Sequence, residues 1–128
     1  MQERLMYVEN KSGGDSGEAW IGLVSFSKSG TTIYFNGRAY RSLKGSGISA
    51  NFVDIETGEQ FWISGVKKRG TNRHRFGSGI IHVDRRAVSA LLAELQVRKL
   101  DPSRFVVADA APTQEKRGEF HRKENERL

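Results

Sequence analysis

Between Val66 and Ile80 the chain reads Lys67-Lys68-Arg69-Gly70-Thr71-Asn72-Arg73-His74-Arg75-Phe76-Gly77-Ser78-Gly79. Five fixed positive charges, one histidine and one aromatic ring stand together here without an acid. A guanidinium can bond one phosphate through two N–H groups, which suits Arg73 and Arg75, whereas Lys67 and Lys68 act as point charges. The glycines allow close backbone approach, and consecutive N–H groups in such a loop can form an anion-binding nest. The pattern fits a grip on a phosphate backbone; it also fits an exposed loop kept soluble by charge. It is not a P-loop, and no Gly-x-Gly-x-x-Gly accompanies it. Lys44-Gly45-Ser46-Gly47-Ile48-Ser49 repeats the theme in miniature, and a compact meander can bring the two loops to one end of a sheet.

Aromatic residues interleave with these cations. Trp62 and Tyr34 stand opposite in phase to their apolar neighbours, which makes them the candidates for stacking on bases. The nucleic-acid-binding set is therefore Lys44, Lys67, Lys68, Arg69, Arg73, Arg75, Trp62 and Tyr34.

Catalytic patterns are sparse. The histidines His74, His82 and His121 have no partner at i, i+3 or i+4, so neither a metal site nor a cofactor is expected. His74 lies between arginines, whose like charge favours its neutral form, and a neutral imidazole can act as a general base. A metal-independent ribonuclease needs a base, an acid and a phosphate clamp, which His74 with Lys68, Arg73 and Arg75 could supply. No Gly-x-Ser-x-Gly is present, and the absence of cysteine removes thiolate chemistry and disulfides together.

The formal net charge is +6, from 21 basic and 15 acidic residues among 128. Residues 28–75 hold nine of the cations against Asp54, Glu56 and Glu59, so this segment alone carries the net charge of the whole chain. Concentrated positive charge points to an anionic partner, DNA or RNA, or to the acidic face of a protein. No apolar run approaches the ~18 residues of a membrane span, and the N-terminus lacks a secretory core, so a cytoplasmic protein without membrane contact is expected.

The elements that must position these residues read mostly as strands. Leu5–Val8, Trp20–Phe26, Thr31–Phe35, Arg38–Leu43, Asn51–Ile55, Gln60–Ser64 and Ile80–Val83 carry period-two or β-branched patterns. Asn36-Gly37 is a type I′ hairpin signal, which would pair Phe35 with Arg38 and Ile33 with Tyr40. At Asp84, a plausible N-cap, the period changes: Val88, Leu91, Leu92 and Leu95 form one face of a helix over 84–97. Phe105–Ala108 reads as a last strand. Beyond Pro112, nine of sixteen residues are charged, which predicts a tail over 113–128 that is either disordered or a solvated helix.

The expected fold is therefore mainly β (α+β). It is a small bent antiparallel sheet, or a half-open barrel of SH3-like or OB-like kind, with one C-terminal amphipathic helix covering an open end or face, in a single domain over 1–112. The stretches Ile55–Lys68 and Ser25–Gly37 resemble segments of short bacterial proteins with no assigned activity; the resemblance implies a bacterial source and nothing about chemistry. Three function classes stay open: a nucleic-acid-binding module, a protein-interaction subunit of a larger assembly, and a metal-independent ribonuclease toxin.

Overall fold

The computed structural model describes residues 3–12, 17–43, 50–66 and 79–112. Six antiparallel strands follow one another as a meander: β1 (Glu3–Asn10), β2 (Ala19–Phe26), β3 (Thr32–Phe35), β4 (Arg38–Ser42), β5 (Phe52–Asp54) and β6 (Gln60–Gly65). β1 pairs with β2 on one edge and with β6 on the other, so the mainly β fold expected takes the form of a bent antiparallel sheet closed into a barrel. Closure leaves no free edge among these six strands.

The hairpin pairs as its turn chemistry dictates, with Phe35 opposite Arg38 and Ile33 opposite Tyr40. Asn36 and Gly37 take φ of 54° and 74°, the two positive values a type I′ turn needs.

Alternation sends Met6, Val8, Trp20, Val24, Ile33, Phe35, Tyr40, Phe61 and Ile63 into the barrel interior. Gly22 faces the same space. A Cβ there would stand 2.2 Å from the Phe35 ring, so the absent side chain is what seats Phe35.

A second layer covers one flank. β7 (Ile81–Asp84) runs parallel to the first half of β2, and β8 (Phe105–Ala108) runs parallel to β7. A 3-10 turn (Arg85–Ala87) and a helix α1 (Val88–Leu95) connect them, the crossover that parallel neighbours require. The outward side chains Tyr7, Ala19 and Ile21 are buried with Ile81, Val83, Leu91 and Phe105. β2 is thus covered on both faces, while the outer face of β5 and β6 carries no second layer among the described residues.

The helix is shorter than the periodicity predicts, because its first turn is 3-10 and its last residue precedes Gln96, left-handed at φ 58°. Asp84 stands before that first turn but makes no capping bond. Its carboxylate is buried, 3.6 Å from the Arg86 guanidinium, and accepts from the Ala110 N–H at 3.4 Å. Tertiary burial has taken the side chain that local sequence would assign to the cap. The proposed tail, 113–128, lies outside the described residues.

Candidate nucleic-acid interface

In a closed meander every odd strand begins at one end of the barrel and every even strand finishes there. At that end Glu3 stands opposite Ser25, Thr32 opposite Arg41, and Ser42 opposite Phe52. The chain leaves the described residues after Leu43 and returns at Ala50, and the Leu43 N–H donates to the Asn51 carbonyl at 3.0 Å. Asn51 in turn bonds the Ile63 backbone through both side-chain atoms at 2.8 Å, and β6 ends two residues later. Both departure points, Leu43 and Val66, are therefore anchored at the same end. Lys44 follows the first directly, and Lys67, Lys68 and Arg69 follow the second.

The described side chains at this end are consistent in sign. Arg4, Lys28 and Arg41 are exposed there, with Glu3 the one acid among them. The opposite end is mixed in charge: Glu18, Asp54, Glu56 and Glu59 cluster where β2 and β6 begin and β5 finishes, with Lys11, Arg38 and, leading into β8, Arg98, Lys99 and Arg104 at the same level. Arg38 sits among them, bonding the Asp54 carboxylate at 2.7 Å and the Glu59 carboxylate at 2.9 Å, with its guanidinium 5.3 Å from the Phe61 ring centroid. Asn10 donates to Glu59 at 2.8 Å, and the Trp20 indole N–H donates to Glu18. Burial works against the Arg38 charge, but the bonds to Glu59 and Asp54 outweigh it and hold the guanidinium more firmly protonated than usual. The bond from Arg38, helped by Asn10 and Thr57, lowers the Glu59 carboxyl to about 2. Desolvation raises the Tyr40 phenol well above its ordinary value, with Arg38 opposing, so it stays neutral. This network frames a cavity of about 40 Å³ at the acidic mouth. Sequence reading missed it, although one signal was present: pairing with Phe35 puts Arg38 on the inward face beside Tyr40.

Of the two aromatic candidates, the structure keeps one exposed. Trp62 lies on the outer face of β6, 37% exposed, and among the described residues no other aromatic is an exposed large apolar side chain. Tyr34 is corrected: it is 2% exposed and cannot stack on a base. Its phase is outward as expected, but Ile55 folds over it and Ala39 to form a small outer core. Lys44, Lys67, Lys68, Arg69, Arg73, His74 and Arg75 lie outside the described residues. His82 is packed against the barrel, stacked on Trp20 at 5.0 Å, with Nδ1 3.3 Å from the Ala19 carbonyl. Among the described residues no three potential ligands cluster for a metal, and no helix is long and apolar enough to cross a membrane.

Comparison with protein-family models, curated proteins and solved structures finds no match. The functional reading therefore stands on residues and geometry alone.

Proposed function

We propose that the protein is a nucleic-acid-binding module that holds a phosphate backbone at the basic end of its barrel. The observation that carries this reading is charge segregation: Arg4, Lys28, Arg41 and the anchors of the Lys44 and Lys67–Arg69 segments share one end, while Glu18, Asp54, Glu56 and Glu59 share the other. A field of one sign at one end steers and retains a polyanion, whereas the acids clustered at the opposite end weaken any hold there.

The test is fluorescence anisotropy with labelled single- and double-stranded oligonucleotides across a salt series. Each phosphate neutralised on duplex DNA contributes roughly 0.9 to the log–log salt slope. Replacing Arg73 and Arg75 by alanine should weaken binding to all sequences alike and flatten the slope by nearly two units if both residues contact phosphate. No salt-dependent binding to any oligonucleotide at low salt rejects the proposal.

One observation favours a second reading. Among the described residues β8 is the outer strand of its sheet, with Val106 and Val107 exposed, and an outer strand of this kind can pair with another chain. This would make the protein a subunit of a larger assembly. The ribonuclease reading rests on His74, Lys68 and Arg73, and no described residue adds to it.

A further inference from the structure

We infer that the strand the protein takes is single, and that an unpaired base stacks on Trp62; this rests on the phosphate-binding reading above. A duplex offers backbone and groove but keeps its base faces stacked on one another, so an aromatic platform gains nothing from it. An unpaired base has an open face, and each base stacked on a protein ring is worth a measurable part of the binding energy without demanding a particular sequence.

The setting of Trp62 meets the requirements of such a platform. Alternation along β6 buries Phe61 and Ile63 in the barrel and turns Gln60, Trp62 and Ser64 outward. On the neighbouring strands the outward residues are Val53 and Arg41, paired across β4 and β5. The strands of this outer strip hold one cation and no carboxylate; the exposed Glu56, in the β5–β6 turn, borders Arg41 and Val53 at the strip's far side from Trp62. The nearest acid, Glu9, stands directly across from Trp62 on β1, but it is 1% exposed, accepts from Tyr7, and is ion-paired with Lys11 at 2.9 Å. Its charge is compensated within the protein, so a polyanion passing over Trp62 meets no exposed negative group on these strands.

Position relative to the basic end is equally suitable. Three residues separate Trp62 from the end of β6 at Gly65, a rise of roughly 10 Å. That distance is about one Debye length at moderate salt, so a chain held at the barrel end lies within electrostatic reach of the face that presents the ring. Gln60 and Ser64 flank Trp62 on the same face and offer hydrogen-bond donors and acceptors to a base edge. The second tryptophan cannot serve: Trp20 points into the barrel and its indole N–H is committed to Glu18.

The experiment compares the full-length wild type with Trp62→Ala and Trp62→Phe, using labelled single-stranded and duplex oligonucleotides of one sequence. Thermal melts confirm that each variant is folded. The wild type should prefer the single strand, and Trp62→Ala should lose roughly 5- to 100-fold in single-strand affinity. Duplex affinity and the salt slope should stay unchanged, and Trp62→Phe should keep most of the single-strand affinity. Unlabelled single strand should also quench tryptophan emission in the wild type but not in Trp62→Phe. Salt-dependent binding in which Trp62→Ala equals the wild type on single strands overturns the stacking proposal while leaving the phosphate grip intact, and frees this face for a protein partner. Failure of the wild type to bind either oligonucleotide overturns both.

Discussion

Arg38 shows how one side chain can close a barrel end. Its guanidinium satisfies a carboxylate that is 2% exposed, Asp54, and a second one at the rim, Glu59. Removing Arg38 leaves the buried Asp54 charge to the Glu56 and Thr57 N–H groups, at 2.8 and 3.2 Å, and to the water that reaches the half-buried guanidinium site. Arg38→Met should therefore destabilise the fold by about 2 kcal/mol in urea denaturation; a loss below about 0.5 kcal/mol would show that those groups and water already compensate Asp54. The same network sets an acid dependence. The Glu59 carboxyl falls from the ordinary 4.5 to about 2, held there first by Arg38 and then by Asn10 and Thr57, with Asp54 also bonded to the same guanidinium. A lowered folded-state value gives stability that is complete above pH 4.5 and is lost as pH falls from there towards 2. Glu59→Gln should flatten the stability–pH curve across that window and leave it unchanged near neutrality. The outward phase of Trp62 was legible from alternation alone. The same logic gave Tyr34 its outward phase but not its burial, since its cover comes from Ile55, eighteen residues beyond the hairpin turn that ends β3.

At the level of elements, local chemistry decided most of what was legible. The Asn36-Gly37 turn fixed the β3–β4 register to the residue, because a two-residue turn of this type permits one pairing only. Gly37→Ala forces a side chain into φ 74° and should cost about 1–2 kcal/mol. The helix offers the converse case. Gln96 ends it at φ 58°, a left-handed position that glycine fills without steric cost. Gln96→Gly should raise stability by roughly 0.5 kcal/mol, measured by thermal or urea unfolding, whereas a loss would mean that the Gln96 side chain contributes packing of its own. Two features were not legible. Closure of β1 onto β6 is a pairing between residues more than fifty positions apart, which no window of sequence reports. The parallel placement of β7 beside β2 depends on the second layer, since β2 reads as an alternating strand whether one face or both are covered. The strand–helix–strand order over residues 81–108 did carry a hint, because a helix between two strands is the usual link between parallel neighbours.

Over the whole molecule, the meander converts a charge pattern along the chain into a charge difference across the barrel. The sequence shows a basic segment over 28–75 interrupted by Asp54, Glu56 and Glu59; folding separates the two signs, because the β5–β6 turn lies at one end and the β2–β3 and β4–β5 connections lie at the other. Net charge alone would attract a polyanion to the whole surface, whereas a polarised barrel attracts it to one end. Two variants with the same loss of charge separate these cases most directly. The first replaces Lys67, Lys68 and Arg69, which follow the end of β6, by glutamine. The second replaces Arg98, Lys99 and Arg104, which are exposed and lead into β8 at the level of the acidic end. The measurement is the salt slope of single-strand binding by anisotropy, where each lost phosphate contact removes roughly 0.7. The account predicts that the first variant flattens the slope by about two units and the second leaves it near the wild-type value. Equal flattening by both would contradict it, and would assign the binding to net charge rather than to the basic end of the barrel.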